Sequence, residues 1–130
     1  MLSHLDDREF LAQIEAVDHF MDNMIAYPGR TFGQLYHHFF RANDLADGVV
    51  TVDGRRISLG ELAVPVLAVA GQGAGIAPRK AVRRLLPLLE KSPETRYEVC
   101  PGGHLGVLTG RNARDTTWPI IDRFLDDHAA

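Results

Sequence analysis

The chain has 130 residues, of which 45% are hydrophobic, 24% charged and 8% aromatic, with a formal net charge of −3. That is one globular domain's worth of sequence, long enough to bury a core. It lacks the basic footprint of a nucleic-acid or anionic-membrane binder, and its single cysteine, Cys100, excludes an internal disulfide and a cysteine-based metal site.

The polar, acidic start from Met1 to Glu9 predicts no signal peptide. The longest apolar run, Ala63 to Gly71, is too short to span a bilayer. The expectation is a cytoplasmic protein with no membrane and no nucleic-acid partner. A first helix is expected from about Asp6 to Ala26, with Ser3 and Asp6 resembling a capping box. Phe10, Ile14, Val17, Met21 and Met24 form its apolar stripe. Pro28-Gly29 should end it, since the residue before a proline is disfavoured in helix. Thr31 would cap a second helix whose face carries Phe32, Leu35, Tyr36, Phe39 and Phe40. Two readings of that aromatic face stand: a packed helical hairpin, or a lid in which Phe32, Tyr36 and Phe39 line an acyl pocket.

From residue 49 the pattern changes. Val49–Val52 and Arg55–Ser58 flank Asp53-Gly54, a strong hairpin turn signal. The continuous apolar run Val64–Ala70 suits a strand covered on both faces, with Pro65 at its beginning. Pro78 opens a helix with Val82, Leu85, Leu86 and Leu89, which Pro87 should kink or shorten. Arg96–Cys100 reads as a second strand, residues 101–106 as a turn-rich loop, and Trp118-Pro119 as the start of a last helix with Ile121, Phe124 and Leu125 inward. This strand–helix–strand–helix order predicts an α/β fold with parallel strands. Residues 1–48 form a helical segment and residues 49–130 an α/β segment. Two parallel strands make a poor sheet alone, so a second copy or a partner chain is expected to cover the sheet edge.

His104 lies just after a predicted strand, flanked by Gly102, Gly103 and Gly106. Loops at the carboxyl ends of parallel strands are where α/β folds build their sites, and an imidazole there can act as general base. The alternative is a histidine that hydrogen-bonds its own loop. Cys100 precedes Pro101 without a strand-to-helix elbow and reads as a buried thiol. His37 and His38 point about 100° apart on a helix, and no histidine pair has metal-ligand spacing, so no metal is expected. Gly71-Gln-Gly-Ala-Gly75 follows a strand, but Ile76 stands where a dinucleotide loop needs its third glycine, so no nucleotide cofactor is expected either. Arg79, Lys80, Arg83 and Arg84 form either a solvated face or a contact for a phosphate-bearing substrate such as a coenzyme A ester.

Taken together, Asn43–Gly48, Val64–Gly71, Ile76-Ala-Pro78, Pro101-Gly-Gly-His-Leu-Gly106 and Thr117-Trp-Pro119 resemble the C-terminal part of the polyhydroxyalkanoate synthases and, more broadly, the last third of the α/β-hydrolase fold. The resemblance covers the chain from about Tyr27 onward. It implies a partial α/β-hydrolase fold in which residues 6–42 match a cap over an acyl site. His104 matches the catalytic histidine, and Ala74 stands at the position of the catalytic Asp. Full-length relatives would act on acyl or acyl-coenzyme A substrates. Two departures accompany the match: the sequence has no Gly-x-Ser-x-Gly or Gly-x-Cys-x-Gly elbow, and Ala74 cannot orient an imidazole. The expectation is a truncated relative, inactive by itself, unless Asp47 or Asp53 approaches His104. The remaining alternatives are an interaction module or a small nucleotide-binding domain.

Overall fold

Asp7 starts the first helix: its carboxylate accepts from the backbone N–H groups of Glu9 and Phe10, each at 3.1 Å, and so satisfies two of the free donors of the first turn. The computed structural model describes residues 7–129. The expected capping pair Ser3 and Asp6 lies outside them. Helix α1 spans Arg8–Asp22 and stops earlier than the apolar stripe suggested, because Asn23 closes it. The Asn23 side-chain amide donates to the His19 carbonyl at 2.8 Å. Helix α2, Gly29–Leu35, begins after Pro28, whose φ of −54° and ψ of 140° leave it extended. Thr31 therefore sits inside the helix rather than at its cap. The chain continues as a π-helical turn, Tyr36–Arg41, in which the Ala42 N–H reaches back to the His37 carbonyl at 2.8 Å. The described residues fall into two units, 7–36 and 37–129. No residue of α1 or α2 is buried.

In the second unit the π turn is followed by a 3₁₀ turn, Asp44–Asp47, bracketed by left-handed Asn43 and Gly48. His38 Nδ1 and Asp44 Oδ2 lie 2.6 Å apart and tie this turn to the preceding one. Strands β1 (Val49–Val52) and β2 (Arg55–Ser58) pair antiparallel, with Val52 opposite Arg55. Asp53 and Gly54 both have positive φ, 48° and 75°, as a two-residue hairpin turn matched to strand twist requires. The boundaries are those the Asp-Gly signal implied.

The centre of the unit is a parallel pair. Strand β3, Val66–Gly71, aligns with β4, Thr95–Cys100, from Val66 opposite Thr95 to Gly71 opposite Cys100. Pro65 stays just outside β3, where its missing N–H costs no ladder bond. Ala68 and Ala70 are fully buried, and Leu67 and Val69 on the other face are half-buried. Helix α3 covers Arg79–Arg84, and Pro87 converts its continuation into a 3₁₀ turn, Leu86–Leu88. Helix α4, Gly106–Thr109, follows the expected loop in a stretch for which the sequence suggested no element, and α5 spans Thr117–Asp127. Helices α3, α4 and α5 all pack on β3. Along α5, Phe124 is buried and Ile121 half-buried, but Leu125 is 60% exposed and not inward as expected. Phe124 fills the inward place, with Arg96 of β4 over its ring at 5.3 Å, and Leu125 lies about 100° further round the helix. Arg96 also pairs with Glu94 and, at 2.7 Å, with Asp127, fastening the end of α5 to the start of β4. The fold is therefore α/β with a parallel sheet and helices.

Candidate functional site

The loops after β3 and β4 meet through their backbones. Gln72 N–H donates to the Cys100 carbonyl and Gly73 N–H to the Gly102 carbonyl, both at 2.9 Å. The crossing is so close that a Cβ on Gly71 would stand 2.7 Å from the Gly103 carbonyl oxygen and 2.8 Å from that of Gly102. Gly102 itself has a φ of +119°, and a Cβ there would meet the Gly106–Val107 peptide at 2.7 Å. Gly71 thus lets the two loops close on each other, and Gly102 lets the second loop pack against the start of α4. Val107 N–H donates to the Gly103 carbonyl at 3.1 Å, and α4 starts two residues after His104, at Gly106.

That closure forms a cavity of about 220 Å³ at the carboxyl ends of the two strands, and both Ala74 and His104 line it. Val69, Gly71, Val82 of α3 and Val107 of α4 supply apolar wall. His104 is exposed and has no hydrogen-bond or ion-pair partner among the described residues. Ala74 is half-buried. Asp47 and Asp53, the candidate substitutes for an acid, are not part of this wall; they belong to the 3₁₀ turn and the hairpin tip. Cys100 is 1% exposed, the buried thiol that its position implied. Phe32 and Tyr36 lie exposed in the first unit, and Phe39, half-buried in the second, is not among the residues lining the His104 cavity.

Val82, Val107 and Leu108 complete the wall and carried no sequence signal beyond being apolar. Trp118 gives Leu108 its place: the indole N–H donates to the Leu108 carbonyl at 2.8 Å, linking the Trp-Pro start of α5 to the cavity. No group of three or more His, Cys, Asp or Glu side chains among the described residues could hold a metal. No helix among them is long and apolar enough to cross a membrane.

The Arg96 guanidinium, hydrogen-bonded to Glu94, holds that carboxyl below its ordinary value; His128 acts in the same direction, against the opposing effect of burial. Asp127 first and Glu94 second hold the Arg96 guanidinium in its charged form. This cluster fastens α5, and none of its members lines the cavity.

Curated relatives match nearly the whole chain. The poly(3-hydroxyalkanoate) polymerase subunit PhaC of Allochromatium vinosum is 26% identical over 127 residues, which are 98% of this chain and 36% of that protein. The subunit of the same name from Thiocystis violacea is 25% identical over 129 residues, 99% of this chain and 36% of that one. For Haloferax mediterranei the figures are 22% over 123 residues, 93% and 24%. No family model matches, and neither does any solved structure. The chain spans about a third or less of the length of these relatives. It is similar, over nearly its whole length, to one part of the poly(3-hydroxyalkanoate) polymerase subunits, and is thus a partial polyhydroxyalkanoate-synthase-like region.

Proposed function

We propose that this chain is the cap and C-terminal portion of an α/β-hydrolase fold of the polyhydroxyalkanoate-synthase type. Residues 1–48 supply the cap segment, and residues 49–130 supply the histidine loop of an acyl-transfer site. The observation that carries this reading is that His104 and Ala74, from the loops after two adjacent parallel strands, line one cavity. In acyl transfer, an imidazole so placed takes the proton of a cysteine or serine nucleophile as its sulfur or oxygen attacks the acyl carbonyl. A carboxylate in the Ala74 position would orient that imidazole and stabilise its charged form; losing such an acid costs roughly four orders of magnitude in the serine-protease template. With no elbow in these 130 residues and Ala74 in the acid position, the chain alone turns over no acyl thioester.

Two measurements test this. Coenzyme A release from a 3-hydroxyacyl-coenzyme A by the purified chain should be nil; turnover that vanishes in His104→Ala overturns the reading. Proton NMR titration of His104 should show the imidazole of Ala74→Asp titrating at higher pH than that of the parent, because a nearby carboxylate favours the imidazolium. An unmoved titration would mean that position 74 does not face His104.

A second reading, an interaction module, is favoured by the open edge of β3. The parallel sheet holds only β3 and β4 among the described residues, so the outward backbone groups of β3 find no strand. The two outer edges differ in kind. Strand β4 carries Arg96 and Glu98, the charges that blunt an edge, whereas β3 reads Val-Leu-Ala-Val-Ala-Gly. A partner strand, from another copy or another polypeptide, is therefore expected on β3. Light scattering across a concentration series tests it, and a monomer at the highest concentration counts against it.

A further inference from the structure

A second cavity, about 460 Å³ against about 220 Å³ for the one beside His104, lies on a different face of α3. Ala81, Arg84, Leu85 and Leu88 recur at helical spacing and form one side, whereas Val82 faces the His104 cavity. Leu45 and Ala46 of the 3₁₀ turn and Leu59 form the other side. Local bonds hold these walls in place. Ala46 N–H donates to the Asn43 carbonyl at 2.8 Å, Leu59 N–H to that of Gly48 at 2.8 Å, and Lys91 N–H to that of Gly60 at 3.1 Å. The volume is within the range of small-molecule sites, and the lining is apolar apart from Asn43 and Arg84.

The charge on the α3 side of this cavity is basic, whereas Asp44 and Asp47 flank Leu45 and Ala46 in the opposite wall. Arg79, Lys80, Arg83 and Arg84 are all exposed on α3, and none forms an ion pair with a described residue. The chain as a whole is negative, at −3, so this patch is local and not a reflection of overall composition. An apolar cleft with a free guanidinium in its wall is complementary to an amphiphile with an anionic head, and a guanidinium fork matches the two oxygens of a carboxylate.

We propose that this cavity binds a medium-chain carboxylate, with its hydrocarbon tail among Leu45, Leu59, Leu85 and Leu88 and its head on Arg84. The site makes no use of His104 and stands whether or not the chain descends from an acyl-transfer enzyme.

The test titrates decanoate, below its micelle-forming concentration, into the whole 130-residue chain, followed by calorimetry and amide NMR. Saturable binding is expected, with shifts at Leu45, Leu59 and Leu85 and not at His104 or Val107. Arg84→Gln, an exposed substitution that leaves the fold alone, should weaken decanoate by about tenfold, the loss of one charge-assisted pair. Decanol should show no dependence on Arg84. Ala81→Trp, from an exposed helix position, should fill the cleft and abolish binding of both. Absence of saturation overturns the proposal. So does equal binding by parent and Arg84→Gln, or shifts centred on the His104 loop. Cleft closure by a second copy, seen as a dimer that Ala81→Trp dissolves while decanoate has no effect on it, overturns it as well.

Discussion

The hairpin β1–β2 and the parallel pair β3–β4 belong to the same unit, yet they are specified in opposite ways. The hairpin is set by its own residues: Asp53 and Gly54 adopt the turn, and the register follows from it. Its strands are largely exposed. The parallel pair has no turn to set its register. It depends on the crossover through α3, on the burial of Ala68 and Ala70, and on backbone crossings at Gly71 and Gly102. One region is local and self-contained. The other is assembled from distant pieces, and among the described residues no third strand pairs with it.

Glycine substitutions give the largest contrast. Gly102→Ala combines an unfavourable φ of +119° with a 2.7 Å approach to the Gly106–Val107 backbone, so a loss of about 3 kcal/mol is expected in denaturant unfolding. Gly54→Ala also has positive φ, 75°, but meets nothing within 4 Å; a loss of about 1 kcal/mol is expected. Equal costs would erase the distinction between the regions. Thr117→Val should act in the other direction. Its hydroxyl is fully buried and has no hydrogen-bond partner among the described residues. Replacing it with an isosteric methyl removes an unsatisfied polar atom, with an expected gain of about 1 kcal/mol in the same measurement.

The smallest effect concerns acid. Glu94 is held below its ordinary value of 4.5, chiefly by Arg96, so the folded state binds that proton less tightly than the unfolded chain does. Its contribution is complete above the ordinary carboxylate value and is lost as pH falls through the lowered one. Comparing denaturant midpoints at about pH 6 and about pH 3.5, Glu94→Gln should lose less on acidification than the parent. The groups are only half-buried and the difference should be slight. Identical acid sensitivity in the two proteins would remove Glu94 from the account.

The parts legible in the sequence were those with local causes. Asp53-Gly54 gave both hairpin strands to the residue, and the uncharged run before Gly71 announced a buried strand. Position after a strand identified the two loops that carry Ala74 and His104. Other elements had causes the sequence does not display. The π turn at Tyr36–Arg41 uses the same residue types as an α-helix and differs only in reaching back one residue further. Helix α4 starts where the Gly103 carbonyl happens to meet Val107, a product of the loop crossing. Leu125 is exposed because the face of α5 that packs inward is centred on Phe124, a choice between neighbouring apolar residues that tertiary packing makes. The cleft lined by Leu45, Leu59 and Leu88 joins three separate segments and was invisible for the same reason.

Cys100, opposite Gly71 at the end of the parallel pair, is the chain's only thiol and is 1% exposed. A sulfhydryl reagent can reach it only when the layer around β3 and β4 opens. The natural protein thereby carries its own clock for that opening. The rate at which Cys100 is alkylated reads the excursions of the parallel pair without any added label, and a strand or ligand that settles on the unit will be visible as a slower clock.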